Sequence, residues 1–181
     1  MIWLSVKKTD PQAIHLMDNP TPHYSRQKPG TRELGPPGEK LVFVTLDGQA
    51  LWGSHRPAPW TLATRADGFI GHSCFVFRRF PDSTEIASAL IRTAVGLTAM
   101  IWGDAPFITY VAVDHIESSN PGYCYKIAGF THKSFNKKTK LGKMARLEME
   151  LKGVKSCREE LKQAFIGHLP ERYDGVSRVN L

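Results

Sequence analysis

The sequence predicts a mixed α/β fold, a central sheet flanked by helices in one domain, on three observations. "LVFVTLDGQALWGS" (41–54) sets two apolar runs around Asp47-Gly48, a strong signal for a tight two-residue hairpin. "PDSTEIASALIRTAVGLTAMIWG" (81–103) carries apolar residues at helical spacing. "FITYVAV" (107–113) is a near-continuous apolar strand of the kind buried on both faces. A strand–helix–strand unit inside a sheet that begins as a meander gives a mixed sheet. At 181 residues the chain is long enough for one substantial core and short for two.

Each element has its own reason. Residues 1–40 are rich in Pro and Gly; "DNPTPHYSRQKPGTRELGPPGEK" cannot sustain a long helix or a central strand and reads as an irregular basic arm. After the hairpin, "GFIGHSCFVFRRF" (68–80) is a third strand. Asp82, Ser83 or Thr84 caps the following helix, with Asp82 or Glu85 in its first turn. Ile86, Leu90, Ile91, Ala94 and Leu97 give that helix one apolar face. Beyond the central strand come a short helix within "SSNPGYCYKIAGF" (118–130) and a strand near 126–132. From about Leu141 to 167, Met144, Leu147, Leu151, Val154 and Leu161 mark amphipathic helix, interrupted near Gly153.

Composition narrows the function. Hydrophobic residues at 41% and charged residues at 23% are ordinary for a globular chain. No apolar run approaches the ~20 residues of a membrane span, and "MIWLSVKKTDPQ" is not a secretory signal. Together with three widely spaced cysteines, this places the chain in a reducing cytoplasm, away from membranes. There is no CxxC pair, phosphate-binding Walker loop or Gly-x-Ser-x-Gly elbow, which weakens zinc-ribbon, nucleotidase and hydrolase readings. The net charge of +7 favours a polyanionic partner. It is concentrated in "HYSRQKPGTR" (23–32) and in "HKSFNKKTKLGKMAR" (132–146), a run without an acid; each is also what a solvated surface looks like.

The order of strand, long helix, apolar strand and then Asn120, Tyr125, Lys126, Gly129 and Phe130 resembles the back half of the GNAT (Gcn5-related N-acetyltransferase) fold, over roughly residues 41–132. The resemblance implies that two parallel strands splay apart and that an acyl-CoA, such as acetyl-CoA, lies in the gap. Its pyrophosphate would sit at a helix N-terminus, and a tyrosine would protonate the leaving thiolate. The donor cradle then falls on Ser83, Thr84, Glu85, Ile86 and Ala87, with Asn120 and Tyr123. The family's pyrophosphate loop is Gln/Arg-x-x-Gly-x-Gly/Ala. Asp82 to Ala87 match it only at Ala87, with Glu85 where a glycine is expected and Asp82 where a cation is.

Taken with "HYSR…PG" (23–30), "GPPGEKLVFVTLDGQALW" (35–52) and "CFVFRR", the pattern also resembles the Mom-like DNA-modification proteins of phages. That narrower resemblance, over most of 20–145, implies modification of the adenine N6 amine in double-stranded DNA. The group would derive from an acyl-CoA, protect the DNA from restriction in a bacterial cytoplasm, and be associated with iron.

The residues themselves leave alternatives open. Tyr125 is the acid or a core aromatic; Tyr123 points the same way if the segment is extended and elsewhere if it is helical. Asn120 binds the donor or caps a helix. Ser118 and Ser119 follow the central strand, where open α/β sheets place ligands, which puts Ser119 in a catalytic shell with His23, Asp114 and Tyr125; otherwise they are turn serines. Asp114 or His23 would be the base that an adenine amine needs; His115 lies beside the first, and His23 reads equally as a surface histidine. Tyr24, Arg26, Lys28, Arg32, Lys133, Lys137, Lys138 and Lys140 suit a DNA backbone, as do the cations of the terminal helices. Trp52, Trp60 or Tyr24 would stack on a flipped base unless they are packing residues. His72 and Cys74 share a strand face, but two residues do not define a metal site. The oligomeric state, a dimer included, stays open. A conventional N-acyltransferase and a non-catalytic DNA-binding protein are the rival readings.

Overall fold

The computed structural model describes residues 3–18, 32–57, 68–116, 119–139 and 142–166. In chain order these form β1 (Trp3–Val6), α1 (Pro11–Asp18), β2 (Glu39–Thr45), β3 (Ala50–Arg56), β4 (His72–Arg79) and α2 (Ala87–Trp102). Then come β5 (Phe107–Ala112), a 3-10 turn (Val113–His115), α3 (Tyr123–Ile127), β6 (Thr131–Thr139), β7 (Gly142–Met149) and α4 (Leu151–Ile166). The strands make one mixed sheet of seven, ordered β1-β2-β3-β4-β5-β7-β6. Its ladders are antiparallel except for β4–β5.

Residues 3–18 are not the irregular arm expected. β1 pairs with β2 at the sheet edge, and the Asp10 carboxylate caps α1 by accepting the N–H groups of Gln12 and Ala13. Pro11 stands at the first helical position, where its missing N–H costs nothing. The Pro/Gly content does limit what forms: the helix is eight residues long and the strand lies on an edge.

The hairpin forms, but with four loop residues, 46–49, in place of two. Thr45 Oγ1 accepts the N–H of Ala50 at 2.9 Å and Asp47 Oδ1 that of Gln49 at 3.0 Å. These side-chain bonds stabilise the wider loop. α2 begins at Ala87, later than expected, with Ile86 at its cap position and no side-chain cap. Ser83 Oγ instead accepts the Glu85 N–H within the preceding loop. Leu90, Ile91 and Ala94 are fully buried as their spacing predicts.

The region after residue 130 departs furthest. The strand expected near 126–132 starts at Thr131, because Tyr123–Ile127 is helical. Residues 142–149, expected as helix, are strand β7, inserted between β5 and β6. Ala145, Leu147 and Met149 are buried on alternate positions, the period of a strand. α4 then runs through Gly153 without a break, and the absence of a Cβ there lets Met149 pack against the helix.

Two cores result. α2 and α4 cover one face of the sheet over Trp52, Phe77, Phe107, Leu147 and Met149, and α1 covers part of the other over Val42, Val44, Leu51 and Val76. Arg92 ties α2 to α4: its guanidinium pairs with Glu160 and donates to the Ala128 carbonyl at 2.9 Å. The hydrogen bond from Arg92 to the Glu160 carboxylate holds that carboxyl below its ordinary value of 4.5. Its depressed folded pKa stabilises the fold above 4.5, and this contribution is lost as pH falls through the folded value. Arg92→Gln is expected to lower Tm at neutral pH by about 2–4 °C, the shift of ~1 kcal/mol in a chain this size. Thermal melts along a pH series should show the difference from the parent narrowing below 4.5; a constant offset would sink the assignment.

Candidate active site at the β4–β5 splay

β4 and β5 pair only at His72–Phe107 and Ser73–Ile108 and then part. The cause lies in β4. Opposite β3, Gly53 pairs with Val76 and Ser54 with Cys74, so Phe75 is an extra, bulged residue. Its ring turns onto Gly53 and joins the α1-side core. A bulge bends its strand and sharpens the twist, and here it carries the end of β4 away from β5.

The splay is bridged from the α2 side. Thr109 Oγ1 donates to the Cys74 carbonyl at 3.3 Å. Tyr125, on α3, packs edge-on against Phe77 and Phe130, with ring centroids 6.1 and 5.4 Å away. Its hydroxyl reaches 3.5 Å from Cys74 Sγ. Cys74 is the first β4 residue beyond the last β4–β5 pair, so the phenol sits at the root of the cleft. Burial pushes the Cys74 thiol up to about 12, so the unliganded thiol stays protonated and is a poor nucleophile.

Tyr123 lies two residues before Tyr125 on a helical turn, so the two point apart; Tyr125 is buried and Tyr123 is 59% exposed. Asn120 and Ser119 are exposed before α3, and Asn120 Oδ1 accepts from Lys126 Nζ. Asp114, in the 3-10 turn, accepts the Lys143 N–H at 2.8 Å and so fastens β7 to the end of β5.

In the loop before α2, Ser83 is buried, Glu85 and Ala87 are half-buried, and Thr84 and Ile86 are exposed. Its cation comes from outside the motif. Arg79, the last residue of β4, donates to the Glu85 carbonyl at 2.7 Å and the Ser83 carbonyl at 2.6 Å. Among the described residues no carboxylate pairs with it. Sequence reading missed Arg79; the signal was a cation closing the strand immediately before the loop.

Other expectations meet limits. His23, Tyr24, Arg26, Lys28, Trp60, Ser118 and Lys140 lie outside the described residues. Arg32 and Lys133 are exposed, and Lys133 pairs with Glu150. Lys137 and Lys138 lie on edge strand β6. Trp52 stacks on no base: it is wholly buried between Phe77 and Phe107. His72 is neutral, its pKa lowered by burial, with Nε2 donating to the Gly103 carbonyl at 3.0 Å. Among the described residues no three His, Cys, Asp or Glu side chains converge to hold a metal. The described residues therefore give no support to iron. No helix among them is long and apolar enough to cross a membrane.

No protein-family model matches the chain, and no curated protein matches it in sequence. Its structure matches three chimeric spermidine N-acetyltransferases that combine SpeG of Vibrio cholerae with hSSAT. Each superposes with a TM-score of 0.60 at 11–12% identity, covering 84–86% of this chain and 96–99% of theirs. The chain has the GNAT fold. The parting of the parallel strands β4 and β5 is the splay that the resemblance implied. The three matched structures are named for acetyl transfer to a small amine, and give no support to the narrower likeness to phage DNA-modification proteins.

Proposed function

We propose that the chain is an acyl-CoA-dependent N-acyltransferase. The observation that carries this reading is the Tyr125 hydroxyl at the root of the splay, 3.5 Å from Cys74 Sγ. Tyr125 supplies the proton to that sulfur. The 83–87 loop and Arg79 receive the diphosphate, the guanidinium standing in for the cation that Asp82 is not. Arg79→Gln is expected to weaken CoA binding about tenfold, the worth of one charge-assisted contact. Binding of pantetheine, which lacks the diphosphate, should be unchanged by titration calorimetry. Equal losses for both ligands would refute a diphosphate role.

Charge bears on the acceptor. Glu33, Glu39 and Glu148 are each paired with a Lys or Arg of the chain itself. A polycation such as spermidine would have to displace those pairs on a protein of net charge +7. This favours an amine carried on a polyanion, and the second reading follows from it: the adenine N6 amine of double-stranded DNA, in a phage-type modification that blocks restriction. One experiment separates the two readings. Purified protein is given acetyl-CoA with a panel of small amines, peptides or duplex DNA; free thiol is measured and the DNA is digested to nucleosides for mass spectrometry. Thiol release with amines alone supports the general reading, and a mass-shifted deoxyadenosine the second. No release with any acceptor would overturn both.

A further inference from the structure

On the face of the sheet opposite Tyr125, the registers align Lys40, His55, Ser73, Ile108 and Glu148 in one row across β2, β3, β4, β5 and β7. Neighbours in such a row stand roughly 5 Å apart. The row crosses β4–β5 at Ser73–Ile108, the last pair before the strands separate. Ser73 and Cys74 are consecutive in an extended strand and so point to opposite faces. The hydroxyl of Tyr125 thus approaches the root of the cleft from one side, through Cys74, and Ser73 marks the other side.

His55 backs Ser73. Its Nε2 lies 2.8 Å from the Pro37 carbonyl, which can only accept, so Nε2 carries the proton and Nδ1 presents a lone pair. Ser73 Oγ lies 3.3 Å from that Nδ1 and 3.3 Å from the His55 main-chain carbonyl. Rotation about the Cβ–Oγ bond moves the hydroxyl proton from one to the other. The loop grips the ring closely: at Gly38, with φ +127°, a Cβ would meet His55 Nε2 at 2.6 Å. Only glycine gives both that conformation and that approach. His55 is 9% exposed, whereas Ser73 is half-buried, so a substrate meets the serine and not the imidazole.

We propose that Ser73 and His55 form the proton-accepting pair for the acceptor amine. This rests on the acyltransferase reading and adds the base that it lacks. As the amine nitrogen bonds to the acyl carbon, its proton passes to Ser73 Oγ while the serine proton passes to His55 Nδ1. The carbon–sulfur bond breaks, and Tyr125 gives its proton to the sulfur. The imidazolium then returns one proton, through solvent, to the tyrosinate, leaving amide and free thiol. Ser73 touches the acceptor; His55 acts through it as a positioning residue. Among the described residues, charged groups on the imidazole's face include Lys40, across the β2–β3 ladder, and Glu33, 3.8 Å from the Lys40 ammonium and paired with Lys8. Arg56 turns to the other face, over Trp102.

The test combines kinetics with nitrogen NMR of the imidazole on the full chain. Ser73→Ala and His55→Gln are each expected to lower kcat about 100-fold, the low end for acid–base catalysis. KM for the donor and CoA binding should stay at parent values. The acid limb of kcat/KM should flatten in His55→Gln, and Ser73→Thr, which keeps the hydroxyl, should restore rate and limb. The parent NMR spectrum should show Nε2 protonated and Nδ1 accepting, with the Nδ1 shift moving in Ser73→Ala. A parent that transfers while both variants keep its rate and pH profile, or a ring protonated at Nδ1, overturns the pair alone. A parent that binds acyl-CoA yet transfers to no amine or DNA overturns the acyltransferase reading, and the pair with it.

Discussion

Trp52→Ala is expected to destabilise the fold by about 3–5 kcal/mol, a large share of the roughly 5–15 kcal/mol that holds a domain together. Trp52 is wholly buried in the centre of β3, and its ring meets Phe77 at 6.0 Å and Phe107 at 6.3 Å. Those partners lie on β4 and β5, so the indole joins the strands on either side of the splay. Its Nε1 donates to Ser54 Oγ at 2.7 Å, and the serine hydroxyl lies 2.8 Å from Thr98 Oγ1. Thr98 gives its own proton to the Ala94 carbonyl, so the Ser54 proton goes to Thr98 and the chain closes on α2. Alanine removes the ring and takes the donor from a buried hydroxyl together. Tm should fall by about 6–20 °C, while Trp52→Phe, which keeps a ring, should lose much less. A melt of Trp52→Ala within a degree or two of the parent would show that the indole is not the keystone of this core.

The same residue shows what the sequence could and could not say. Trp52 in a hairpin strand is equally a core residue or an exposed stacking aromatic, and only the packing of α2 over β3 decides. The long helix and the central strand were legible because each declares itself within its own segment. β7 was not. Met144, Leu147, Leu151 and Val154 recur at helical spacing, while Ala145, Leu147 and Met149 recur at strand spacing, and both patterns share Leu147. The tie breaks through β5, whose free edge takes 142–149 as a partner before β6 can. The splay was expected by resemblance; its cause, the bulge at Phe75, is a property of register between β3 and β4 and has no local signature. The pair of His55 and Ser73 was out of reach for the same reason. The two residues stand 18 apart in sequence, and a slip of one residue in the β3–β4 register would turn one of them to the opposite face. Arg79 was visible as a residue but not as the loop's cation, because the expected motif placed its cation inside the loop.

Tyr125→Phe is expected to lower kcat about 10²–10⁴-fold, the range for a positioned acid or base, with little change in stability. The asymmetry follows from what the substitution leaves. The ring keeps its edge-on contacts with Phe77 and Phe130, and the hydroxyl's contact with the Cys74 thiol is a weak one. On the proposed reading the chemistry loses its proton donor at the point where β4 and β5 part. Burial alone would also preserve a core tyrosine here, so the decisive measurement is dependence on the leaving group. A general acid matters most when the departing thiolate is basic. An acyl thioester of a more acidic thiol should therefore recover most of the rate lost in Tyr125→Phe, while the parent enzyme should gain little from it. If Tyr125→Phe transfers from acetyl-CoA at the parent rate, Tyr125 is a packing residue and the acid lies elsewhere. If it is slow with both thioesters alike, the hydroxyl is positioning the donor and is not protonating the sulfur.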